Sequence, residues 1–163
     1  MPTIPPSETT TRDITFEVGE FDDNPAIVAL REQKPQIFDQ VQAYYDATVA
    51  PDQPGTISLQ ERALIAQRVA AGIPSPLLAN WYQHRLDSFE TGAIDEASPR
   101  IQAMLARVSL VNANPDATTH DDVRALQDAG LDETAIISLS QLIAFVQYQA
   151  RLHAGLTAIG AAS

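Results

Sequence analysis

The chain has no cysteine, which removes thiol nucleophiles, disulfides and thiolate metal ligands from its chemistry. Cations are also scarce: 10 Lys and Arg stand against 21 Asp and Glu, a formal net charge of -11. A field of that sign repels phosphate backbones and anionic headgroups, so nucleic-acid binding and a role at a membrane surface are not expected. Long apolar runs are missing. The longest, such as Leu142 to Val146, are about five residues, whereas a membrane-spanning helix needs about 20. The P-loop, the dinucleotide fingerprint and the G-x-S-x-G elbow are all absent, which leaves NTPase, NAD and serine hydrolase chemistry without support. Neither period-two strand alternation nor an internal repeat is found. The segment from Met1 to Arg12 lacks the basic start and apolar centre of a secretory signal, and the expectation is a cytosolic protein.

What is present is a globular composition, 163 residues that are 45% hydrophobic and 19% charged, enough for one domain with a core. Residues 1–13, rich in Pro, Ser and Thr, read as a flexible tail, and residues 14–160 as a single all-α domain. Helix starts are signalled repeatedly. Asn24-Pro25 is an N-cap followed by proline at the first helical position, Pro35 restarts the chain, and Ser75-Pro76 and Ser98-Pro99 repeat the pattern. Ser58-Leu-Gln-Glu61 is a capping box, and Gly72 with Pro74 ends the helix that follows. Leu78, Trp81, Tyr82, Leu86 and Phe89 form one stripe running to Gly92, so the helices from Leu59 and Pro76 form a hairpin. Thr119 caps a short helix. Asp132 caps the longest, whose Ile136, Ile137, Leu139, Leu142, Ile143, Phe145, Val146, Leu152 and Leu156 occupy more than one face, as a central or interface helix requires.

Chemistry-bearing residues are thinly spread. His84, His120 and His153 lie on separate segments, and Asp121 and Asp122, adjoining His120, point away from it on a helix, so no metal site and no cofactor are expected. Arg62, Tyr82 and Arg151 are candidates to line a pocket between helices, the usual ligand position in bundles. Each also has a plainer reading. Tyr82 shares its stripe with Leu78 and Trp81 and packs well with its hydroxyl at an edge; Ser75 has work as a cap; Arg62 and Arg151 suit surface ion pairs.

Two stretches resemble the carboxymuconolactone decarboxylase and alkylhydroperoxidase (AhpD-like) superfamily. One is Ser58 to Ala71 leading into Ser75 to Leu86; the other runs from Leu126 through Ala-Gly-Leu131 and Ile143-Ala-Phe145 to Arg151-Leu152. The likeness covers about residues 25 to 158 and implies a helical bundle with a central hairpin and a long C-terminal helix. In the peroxidase branch it implies a glutamate after the first helix's arginine, a Cys-x-x-Cys pair opening the second helix, and a histidine one turn on. Those positions hold Ala63, Ser75, Leu78 and Tyr82 here. Serine cannot cycle through sulfenic acid and leucine has no polar chemistry, so thiol peroxidase activity is expected to be absent. In the decarboxylase branch the histidine also falls at Tyr82, with His84 two residues away and turned about 200° around the helix.

The leading expectation is a catalytically degenerate AhpD-like protein acting as a binding or structural partner. The resemblance implies assembly as a trimer or hexamer, and pairing with a cysteine-bearing relative fits the same reading. The alternative is a non-thiol acid–base enzyme acting on a small lactone or aromatic-derived substrate. Its candidate pocket is Arg62, Ser75, Trp81, Tyr82 and His84. A third reading is a helical interaction module unrelated to that superfamily.

Overall fold

A computed structural model describes residues 13–89 and 94–162, and every regular element among them is helical. In chain order these are α1 (Ile14–Gly19), α2 (Pro25–Gln33), α3 (Pro35–Thr48), α4 (Leu59–Ala71), α5 (Pro76–Asp87), α6 (Pro99–Ala113), α7 (His120–Asp128) and α8 (Glu133–Ala161), with short 3-10 turns at Phe21–Asp23 and Pro115–Ala117.

The helix starts follow local chemistry. Ser58 Oγ accepts from the Glu61 N–H at 3.2 Å while Glu61 Oε2 accepts from the Ser58 N–H at 2.7 Å, the reciprocal cap expected of that sequence. Asn24, Ser98 and Asp132 cap α2, α6 and α8 through side-chain oxygens. Ser75 departs from expectation: it occupies the N-cap position of α5, but its side chain makes no cap hydrogen bond, and proline at N1 starts that helix unaided. At α7 the Asp122 carboxylate accepts from both the N–H and the hydroxyl of Thr119, and these bonds hold its pKa below the usual range. Asp13, assigned to the tail by composition, is a buried residue that caps α1 by accepting from the Phe16 N–H at 3.0 Å. The apolar stripe of α5 ends with the helix at Asp87; residues 90–93, where it was expected to continue, lie outside the described residues.

Helix α4 is the axis of the bundle. Its Ala63, Leu64, Ile65, Ala66, Val69 and Ala70 are buried against α5, α6 and α8, and the small residues let those neighbours approach closely. The hairpin of α4 and α5 packed on α8 is therefore present. A second, smaller core of Phe16, Phe21, Ile27, Phe38 and Leu156 seats α1, α2 and α3 on the C-terminal half of α8. No single described helix is long and apolar enough to cross a membrane; α7 with α8 passes by length and composition only, as two helices bent by 118°.

Candidate functional site

Tyr82 projects from α5 into the centre of the bundle and is fully buried. Its hydroxyl donates to Gln149 Oε1 on α8, and Gln149 is fully buried too. Removal from water pushes the Tyr82 pKa well above its ordinary value, and the nearby Tyr45 hydroxyl adds to that rise. Tyr45 lies edge-on to Trp81 with ring centroids 5.8 Å apart, and its own pKa is pushed up to about 12, again by burial, with Arg85 opposing. The Arg85 guanidinium carbon stands 5.7 Å from the Tyr45 ring centroid, a cation–π contact. The cluster of Tyr45, Trp81, Tyr82, Arg85 and Gln149 is polar at its centre and closed by aromatic rings. Held this way, the tyrosines stay protonated across the physiological range and act as hydrogen-bonding groups rather than bases.

Of the five residues of the sequence-derived pocket, the structure brings together Trp81 and Tyr82, whose rings meet edge to face at 4.9 Å. Arg62 is engaged elsewhere. It is buried, and its guanidinium donates to three backbone carbonyls: Ile57 at 3.1 Å, Thr48 at 2.7 Å and Pro54 at 2.9 Å. It therefore ties the loop between α3 and α4 to α4, and burial lowers its pKa. His84 is exposed on α5, Ser75 is half-buried at the start of α5, and Arg151 is exposed on α8. Leu78 and Ala63 are core residues. No group of three or more His, Asp or Glu is placed to hold a metal among the described residues.

Sequence reasoning missed four residues of structural consequence. Arg100 donates to Glu61 at 2.9 Å, to the Thr56 carbonyl at 2.7 Å and to the Gly130 carbonyl at 3.3 Å, so it pins the same loop to the turn before α8. Tyr45 and Arg85 close the Tyr82 cluster. Gln149 carries the clearest signal in hindsight. Leu142, Val146, Gln149, His153 and Leu156 follow one another at spacings of three or four, which puts the glutamine and the histidine on the inward stripe of α8. Both are buried, and Gln149 Nε2 and the two His153 ring nitrogens have no protein hydrogen-bond partner. His153 packs edge-on to Phe21 at 6.0 Å, and burial lowers its pKa to about 4, with the Thr15 backbone opposing.

The fold and the site together define a class: an all-helical bundle whose central position holds a sealed tyrosine–glutamine pair. Comparison with family models, curated proteins and solved structures yields no match to this chain.

Proposed function

We propose that this chain is a non-catalytic, AhpD-like helical protein that works by assembly, as a structural or binding partner of its own copies or of a cysteine-bearing relative. The observation that carries the reading is Tyr82: it stands where the resemblance puts a proton-relaying histidine, yet it is closed off from solvent and committed to Gln149. A proton relay needs a group that reaches substrate and titrates near the working pH, and a buried tyrosine with a raised pKa does neither. The same burial argues against the alternative of an acid–base enzyme built on Tyr82.

Support for assembly comes from α8. All 21 carboxylates precede Thr134, so the rest of this helix is free of acidic charge on an otherwise strongly anionic chain. Ile137 and Tyr148 stand exposed on it, and Tyr44 of α3 is exposed close by, its ring 4.8 Å from the Phe145 ring of α8. Large exposed apolar side chains of this kind mark interaction surfaces when they cluster. Sedimentation velocity at micromolar concentration should show a closed oligomer that Tyr148→Glu dissociates. A stable monomer would count against assembly, and turnover of a lactone or peroxide that Tyr82→Phe abolishes would overturn the non-catalytic reading.

A further inference from the structure

A groove of about 320 Å³ runs between the α2–α3 corner and the C-terminal half of α8. Its walls are apolar: Leu30, Ile37 and Phe38 on one side, Leu152, Leu156 and Ile159 on the other. Almost none of its surface is polar. Its size lies at the small end of the range for ligand pockets.

Two charges line it, and both are positive. Lys34, the chain's single lysine, stands at the α2–α3 corner, and Arg151 stands on α8. The other cations among the described residues are engaged by the protein. Arg31, Arg68, Arg100 and Arg124 pair with carboxylates, Arg62 holds backbone carbonyls, Arg107 donates to the Thr118 hydroxyl, and Arg85 lies over the Tyr45 ring. Among the described residues, Lys34 and Arg151 make no ion pair, and the one side-chain bond between them is from Arg151 to the Gln147 carbonyl of its own helix. In a chain with twice as many acids as bases, two cations that pair with no carboxylate line the same apolar groove.

The floor supplies an independent observation. Gly155 lies within the C-terminal part of α8, inside the helix, where glycine costs roughly 1 kcal/mol relative to alanine. Glycine at such a position usually marks a close approach, but a Cβ built on Gly155 meets nothing within 4 Å. No neighbour requires its absence. The glycine lines the groove, and the space a side chain would enter there is open.

We propose that this groove binds a small anionic amphiphile, an apolar chain or ring ending in a carboxylate, with the tail along Leu30, Phe38 and Leu156 and the head group held by Lys34 and Arg151. Long basic side chains suit this arrangement, since their stems extend the apolar wall while their charged ends stay at the rim. The groove adjoins the assembly surface at Ile37, which also faces Tyr44 and Tyr148, but the proposal does not rest on assembly.

The test is a titration of the full-length protein with decanoate, kept below its micelle concentration, following backbone amide shifts. Saturable shifts centred on Leu30, Gly155 and Ile159 are expected. Decyltrimethylammonium, with the same tail and the opposite charge, should bind at least roughly tenfold more weakly, and Lys34→Glu with Arg151→Glu should reverse that preference. Gly155→Trp should fill the groove and abolish binding while leaving the helical circular dichroism intact; if that variant does not fold, the charge reversal decides alone. Equal binding of the two amphiphiles, or none by decanoate, would overturn the proposal. So would light scattering showing that Gly155→Trp dissociates an oligomer while decanoate has no effect, since the groove would then be filled by a second copy.

Discussion

The Tyr82 hydroxyl and the Gln149 carboxamide oxygen, 67 residues apart in the chain, form a buried hydrogen bond that joins the α4–α5 hairpin to α8. The bond is polar in an apolar surround, so its value lies less in its own strength than in the penalty for losing one partner. Tyr82→Phe should destabilise the fold by about 1–3 kcal/mol, because the Gln149 oxygen is then left buried and unpaired. Adding Gln149→Leu should recover part of that loss. A double-mutant cycle in urea checks this, and strictly additive losses would show that the two side chains are not coupled.

Arg62 makes a different kind of connection. Its three carbonyl acceptors diverge from one planar guanidinium, a geometry that lysine cannot reproduce. Both Arg62→Lys and Arg62→Met should cost about 3 kcal/mol, and limited proteolysis should begin within residues 49–58. If Arg62→Lys were as stable as the parent, the loop would be held by Arg100 alone.

His153 makes stability depend on pH. Its folded-state pKa is about 4 against an ordinary 6.5, so the unfolded chain binds the proton more readily between those values. Unfolding is thereby favoured as pH falls from about 6.5 towards 4, with a loss on the order of 3 kcal/mol once both states are protonated. Above pH 6.5 the residue contributes no such penalty. The difference in unfolding free energy between pH 7 and pH 4.5 should be clearly smaller in His153→Leu. Parallel pH profiles for the two proteins would show that His153 is not the group responsible.

The two glycines near the end of α8 should respond in opposite directions. Gly155→Ala meets open space and should stabilise by about 0.5–1 kcal/mol. At Gly160 a Cβ would run into Asn24 Nδ2 and lie 3.2 Å from Ile27 Cδ1. Asn24 caps α2 by accepting from the Ile27 N–H, so Gly160→Ala disturbs that cap and should destabilise by about 1 kcal/mol. Thermal melts of the two variants decide it, and a shift in the same direction for both would contradict the close packing of α2 on α8.

The sequence by itself determined the helical class, the hairpin, and the starts of α2 to α8, because each start is written within a few residues: an oxygen that accepts from the first turn, a proline whose missing N–H costs nothing there, a glycine after the end. It also placed Tyr82 and Trp81 on one stripe. Only the tertiary structure decided what that stripe faces. Whether Tyr82 lined a pocket or filled a core depended on Gln149, and whether Arg62 held a ligand or a loop depended on carbonyls at residues 48, 54 and 57. Short-range rules carry no information about such partners. The α1 segment, six residues capped by Asp13, was missed for a related reason: so short a helix has little stability of its own and forms where Phe16 is buried against Phe21 and Phe38. Local hydrogen bonding writes helices into the sequence, while burial, a property of the assembled helices, settles which polar side chains face solvent and which are sealed.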